Sequence, residues 1–252
     1  MPNENLVVIA AMARKGGSGK TTLSRALISA AIAAGRRVML IDTDSTRVLG
    51  AWHARAETGG LSSPLLCSAT VESVAGVEDQ IDQVYMAGTA DFIFIDTAGV
   101  GAEWSDGIAV LADHIVTPVM LSTSDFDVGA QTADWFEKLK SRVDDPSNLP
   151  RHHVVLNMVD PKTTRADAAL IEEALTRFPV IETVMMRRNT YQGAEIVPPR
   201  QRYENMIHRR HDNGGGYDAR DGRDERVAVQ LCRSGGAHPR AASVAQDPAG
   251  GE

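Results

Sequence analysis

The chain has 252 residues, 43% of them hydrophobic, which excludes a wholly disordered polymer and supplies a sizeable core for one α/β domain or two small ones. Its formal charge is −7, from 26 basic and 33 acidic residues, so it is no polycation and any nucleic-acid contact must use a local patch. Cys67 and Cys232 stand alone, without a CxxC pair or Cys/His ligand spacing, which argues against a disulfide scaffold or structural zinc and fits a reducing cytoplasm.

Met1-Pro2-Asn3-Glu4-Asn5 lacks the basic start and apolar run of a signal peptide, and no apolar stretch reaches the roughly 18 residues of a membrane span. The expectation is a soluble, cytoplasmic protein with no membrane contact. Leu6 to Met12 is a short apolar run closed by a Gly-rich turn, followed by an Ala/Leu/Ile-rich helical segment from Thr21 to Ala34. Val38 to Ile41 ends at Asp42, and Phe92 to Ile95 ends at Asp96. Ile115 to Val119 and Val154 to Asn157 repeat the pattern of a continuous apolar strand, as in a sheet buried on both faces. Helix-length segments at Asp127 to Val143 and Thr164 to Phe178 carry apolar residues three or four apart, and Gly59 to Pro64 is a loop-rich break. This alternation predicts an α/β fold with a doubly wound, mostly parallel sheet and a ligand site at the carboxyl ends of its strands.

Between the first strand and first helix stands Arg14-Lys15-Gly16-Gly17-Ser18-Gly19-Lys20-Thr21-Thr22. Backbone N–H groups and a helix N-terminus converge on an anion in such a loop, and glycines permit the close approach. Lys20 supplies a fixed positive charge for β- and γ-phosphates, and the Thr21 hydroxyl is placed to ligate a phosphate-bound Mg2+. Gly17-Ser18-Gly19 also resembles half of a GxGxxG dinucleotide loop. Thr22 in place of the third glycine, and a Lys-Thr pair with no role there, weigh against that reading. Asp42-Thr43-Asp44 and Asp96-Thr97-Ala98-Gly99 then bring three carboxylates to the mouth of the loop, the groups that phosphoryl transfer needs to hold hydrated metal and orient water.

The loop departs from the common phosphate-binding pattern, with Arg14 where a glycine usually stands and Lys15 after it. Lys15 to Thr21 resembles the deviant Walker A loop of the ParA/MinD family of P-loop ATPases, over roughly Leu6 to Val197. The resemblance implies Mg2+-dependent ATP hydrolysis and an ATP-sandwich homodimer in which Lys15 reaches the partner's nucleotide. It assigns ATP binding to Gly16, Gly17, Ser18, Gly19, Lys20, Thr21 and Thr22, and Mg2+ to Thr21, Asp42 and Asp96. It also makes Asp44 the group that positions the hydrolytic water, beside the catalytic lysines Lys15 and Lys20. Asn157 resembles the asparagine with which several members read the adenine edge; a turn-forming role before Asp160-Pro161 is its simpler alternative. Asp113 and Pro118 match the pattern as strand-end residues.

Asp44-Ser45-Thr46-Arg47 with Trp52, and Ser122 to Asp127, resemble the short plasmid ParA-like and VirC-type ATPases. Arg187-Arg188-Asn189-Thr190-Tyr191, with Glu195, resembles the family's arginine-containing segment and offers DNA or a partner protein of the partition or transfer machinery a basic contact. The amphipathic membrane helix of MinD-like proteins, the shared cysteines of iron-protein and tail-anchor-targeting relatives, and the tyrosine cluster of autokinases find no counterpart.

Residues 198–252 hold nine Arg, no Lys and eight Gly with hardly any apolar periodicity, so this segment reads as disordered beside an ATPase domain at 1–197. A shifted reading frame near Val197 or a disordered nucleic-acid arm accounts for it; His208 and His211 alone do not make a zinc site. The function expected is an ATP-dependent dimerisation switch in plasmid or chromosome partitioning or conjugative DNA transfer. The alternatives are a metabolic ATP-dependent ligase of the dethiobiotin-synthetase type and a nucleotide-binding interaction protein with impaired cycling.

Overall fold

The computed structural model describes residues 1–99, 104–181 and 183–187. Among them six strands alternate with six α-helices: β1 (Val7–Ala11), α1 (Lys20–Ala33), β2 (Val38–Asp42), α2 (Val48–Thr58), β3 (Leu66–Thr70), α3 (Val74–Ala87), β4 (Phe92–Asp96), α4 (Ser105–Leu111), β5 (His114–Met120), α5 (Thr123–Lys140), β6 (Arg151–Asn157) and α6 (Arg165–Arg177). Arg188 to Tyr191, Glu195, the segment from Pro198 with His208 and His211, and Cys232 lie outside the described residues.

The strands form one sheet in the order β3-β2-β4-β1-β5-β6, and every pairing in it is parallel. Its apolar runs are continuous because both faces are covered: all five residues of β2 and of β4 are buried. Side chains still alternate by face. Ile9, Val38, Leu40, Phe92 and Phe94 pack with Leu23, Leu27, Leu49 and Trp52 of α1 and α2. Val8, Ala10, Met39, Ile41, Ile93 and Ile95 pack with Val77 and Ile81 of α3, Ile108 of α4 and Phe136 of α5. A third cluster joins Val119, Phe126, Leu156 and Ala174 where α5 and α6 meet β5 and β6.

Cap chemistry sets where α5 and α6 begin. The Ser122 side chain accepts from Asp125 N at 3.1 Å, so α5 starts at Thr123, four residues before the apolar periodicity becomes visible at Asp127, and it ends at Lys140 rather than Val143. Thr164 and Asp167 form a reciprocal capping box that starts α6 where the sequence indicates. No helix among the described residues is long and apolar enough to cross a membrane.

Candidate functional site

Parallel pairing makes three strands end together. Ala11 pairs with Asp96 between β1 and β4, and Asp42 pairs with Asp96 between β2 and β4, so the loop that leaves β1 opens beside both aspartates. The crossover from β1 to β2 passes on one side of the sheet order and that from β4 to β5 on the other, which places this mouth at the topological switch point. Backbone ties fix the strand ends further. Thr43 donates through N and Oγ1 to the Asp96 carbonyl at 3.0 and 2.9 Å, and Thr97 Oγ1 donates to the Ala11 carbonyl at 2.8 Å.

The loop from Ala13 to Gly19 ends at the first turn of α1, with Gly19 left-handed at φ 94° as its N-cap. Gly99, at φ 145°, lies so close beneath the loop that a Cβ there would stand 3.1 Å from the Ala13 carbonyl oxygen and 3.9 Å from Lys20 Nζ. Lys20 is buried, whereas Lys15 is exposed. Burial pulls the Lys20 ammonium below the ordinary lysine range, and the Asp96 and Asp44 charges pull it back up.

Asp96 is the centre of the acidic group. It accepts from Thr21 Oγ1 at 3.3 Å and from Ser24 Oγ at 3.4 Å. Burial, then the Asp42 charge, push its pKa up to about 6, against the Thr21 hydrogen bond and Lys20. Asp42 is fully buried and accepts from Asp44 N at 3.1 Å and Gly50 N at 2.7 Å. Asp44 is half-buried; its Oδ1 accepts from Thr46 N at 2.8 Å and Thr46 Oγ1 at 2.7 Å, an Asx turn that fixes the carboxylate's direction. The next turn is strained, because Arg47, a residue with a Cβ, holds φ 49° at the N-cap of α2 while its guanidinium pairs with Glu72.

The structure therefore gathers Lys20, Thr21, Asp42, Asp44 and Asp96 at one mouth and sets Lys15 at its rim. Asn157 also reaches the loop, at the end of β6 and fully buried. Its Nδ2 donates to the Ser18 carbonyl at 3.2 Å and its Oδ1 accepts from Met158 N at 2.9 Å. Three contributors escape a motif-led reading. Ser24 lies one turn beyond Thr21 on the same face of α1, a spacing that could have exposed it. Thr43 is hidden inside the aspartate motif, and Thr132 of α5, which accepts from Arg14 N at 3.2 Å, has no sequence signal.

Two observations test whether this mouth fits a nucleotide phosphate and Mg2+. The Ser18 hydroxyl is buried and has no hydrogen-bond partner among the described residues, and burial, then the neighbouring Asp42 charge, disfavour the Asp96 anion, so the site is short of a cation and of an acceptor. No group of three or more His, Cys, Asp and Glu among the described residues is arranged to hold a metal by itself. That suits Mg2+, which takes one or two carboxylates, a hydroxyl and oxygens of phosphate and water. The residues fit.

Together the all-parallel sheet, the loop between β1 and α1, and the aspartates at adjacent strand ends define a ParA/MinD-like P-loop ATPase fold. The family model described as VirC1 protein matches residues 5–197, and the chain belongs to that family. It is 25% identical over 181 residues to the virC1 protein of Rhizobium radiobacter, covering 71% of this chain and 76% of that one. It is likewise 25% identical over 191 residues to the ParA protein of Rhizobium radiobacter, covering 74% and 81%. Among solved structures, pNOB8 ParA bound to nonspecific DNA superposes with a TM-score of 0.60 at 16% identity, covering 90% of this chain and 99% of that one.

Proposed function

We propose that this chain is an ATP-dependent dimerisation switch that hydrolyses ATP and acts on DNA, with a protein partner, in plasmid partition or conjugative transfer. The observation that carries the reading is the buried Lys20 ammonium set under a glycine loop and facing Asp96 and Asp44. A lysine is costly to bury, and that position leaves it aimed at an anion held by the loop's N–H groups. Bound ATP supplies the transferable phosphoryl group, and Mg2+ the charge that offsets it.

The chain's own groups then divide the work. Thr21 and Asp96 are the metal-facing pair, and Asp42 supports them by fixing the Asp44 and Gly50 backbone. Asp44 orients water through a carboxylate whose direction Thr46 holds. Lys15, exposed at the rim, acts across a dimer on the partner's site, as an arginine finger does. The VirC1 and ParA relatives favour a partition or transfer setting, and the DNA-bound ParA favours a DNA contact.

Complementation in mixed dimers tests it. Lys15→Ala should bind ATP nearly normally yet hydrolyse roughly 30- to 1,000-fold more slowly, corresponding to about 2–4 kcal/mol of lost transition-state stabilisation. Mixed with Asp44→Ala it should regain activity, because one composite site then holds both intact groups. Full activity of Lys15→Ala alone, or activity independent of protein concentration, would reject the switch.

A further inference from the structure

The phosphate loop is tethered from outside its own strand and helix at two points, and the tethers come from the far side of the sheet. At one end Thr132 Oγ1 of α5 accepts from Arg14 N at 3.2 Å; at the other Asn157 Nδ2 of β6 donates to the Ser18 carbonyl at 3.2 Å. Both side chains are fully buried. Thr132 Oγ1 also donates to the Val128 carbonyl at 3.0 Å, which fixes its rotamer, and Asn157 Oδ1 accepts from Met158 N at 2.9 Å, which fixes the amide flip. Met158 itself holds φ 55°, an unusual conformation for a residue with a long side chain, so the turn after β6 is shaped around this amide.

The fit between Asn157 and Gly19 is closer still. A Cβ on Gly19 would overlap the Asn157 amide nitrogen, so the side chain of β6 occupies the place that any other residue at the loop's end would need. Gly19 is thus required twice, by its left-handed φ of 94° and by Asn157. The two groups together set the direction in which the Ser18–Gly19 peptide faces, immediately before the first free N–H groups of α1.

We infer that Asn157 is a positioning residue for the phosphate loop: its amide braces the Ser18–Gly19 peptide in the anion-binding geometry, with Thr132 as the matching brace at Arg14, so that its loss weakens nucleotide binding through the phosphates. One amide hydrogen of Asn157 holds the Ser18 carbonyl, and the Met158 N–H fixes the amide oxygen and with it the direction in which that hydrogen points. Removing it leaves the loop N–H groups to be organised at the moment of binding, which weakens every ligand that carries the same phosphates.

This inference rests on the nucleotide-site reading, and the experiment separates the two. Wild-type protein is first titrated with ATP and GTP; no binding of either would defeat the site reading itself. Asn157→Ala and Thr132→Val are then titrated with the same nucleotides, and amide exchange of residues 13–20 is followed in nucleotide-free protein. The brace requires faster exchange of that segment in both variants with β1 and β4 unchanged. It also requires ATP affinity to fall about tenfold or more in Asn157→Ala with the ATP-to-GTP ratio preserved. If Asn157→Ala does not fold, Thr132→Val, which keeps shape and lies on α5, must still show the same loop exchange and the same loss common to both nucleotides. Unchanged loop exchange, unchanged ATP affinity, or a collapse of the ATP-to-GTP ratio with GTP affinity intact would overturn the inference, the last by making Asn157 a reader of the base.

Discussion

Asp42 and Asp96 stand side by side at the last residues of adjacent parallel strands, paired in register, and both carboxylates are shut away from solvent. Burial, then the adjacent Asp42 charge, push the Asp96 pKa up to about 6. Below its unfolded value of 3.8 the protonated Asp96 costs the fold nothing; as pH rises through about 6 the native state must carry a buried anion and stability is lost. At pH 7.5 that loss is about 3 kcal/mol. Asp96→Asn should therefore unfold at higher denaturant than wild type at pH 7.5 in the absence of nucleotide, and lose the advantage by pH 4. Equal midpoints at pH 7.5 would show that the anion is already compensated.

A half-buried histidine supplies the opposite slope. His152, at the start of β6, hydrogen-bonds Thr117 at 2.9 Å and packs on Phe136, and burial, then His153, lower its pKa to about 4 from 6.5. Its contribution is fully present above about 6.5 and is lost as pH falls toward 4, because the unfolded chain takes up the proton first. Between pH 4 and 6 the Asp96 slope is therefore opposed by that of His152, with His153, whose pKa burial also lowers, acting in the same sense as His152. His152→Gln should expose a fall in stability with rising pH over that window, and Asp96→Asn a rise. Urea titrations at four pH values would show whether the signs are opposed.

Lys20→Ala should abolish ATP binding. The lost ammonium is the fixed cation of the loop, and its absence leaves the Asp96 and Asp44 charges beside the phosphates without it. Calorimetric titration decides it; an affinity within a factor of three of wild type would remove Lys20 from the site. Asp44→Ala should keep nucleotide affinity, since Lys20, Thr21 and Asp96 are untouched, while turnover drops and an ATP-bound dimer accumulates in sedimentation.

Arg47 offers a test of strain. The Arg47–Glu72 ion pair is exposed on both sides and is worth little, whereas a φ of 49° costs a residue with a Cβ about 1 kcal/mol. Arg47→Gly should leave the protein as stable or more stable by up to about 1 kcal/mol, and Arg47→Val should destabilise it by more than that. Thermal melts of the pair measure both.

What the sequence could reveal followed from how local each signal was. The loop, Lys20 and the strand-end aspartates were legible because motif and strand end coincide within a few residues, and the parallel α/β alternation was carried by apolar runs at β1, β2, β4, β5 and β6. β3 was not singled out: Leu66-Cys67-Ser68-Ala69-Thr70 is an edge strand, mostly open to solvent, with little apolar content to mark it. Thr132 and the grip of Asn157 on Ser18 were invisible for another reason. They depend on residues 118 and 139 positions apart, a relation that only the completed sheet creates.

The same separations govern how the molecule is made. β1 is made before its neighbours β4 and β5, and Val8 N must wait for the Asp113 carboxylate 105 residues later. Until then the most apolar stretch of the N-terminus has no sheet to join, and its glycine loop has no floor, because Gly99 and Asp96 are not yet synthesised. A chain made only as far as α3 thus lacks the floor of the proposed nucleotide site, and a nucleotide would give it no help in folding. Parallel pairing over such distances is slow and leaves unpaired edges exposed to other chains in the meantime.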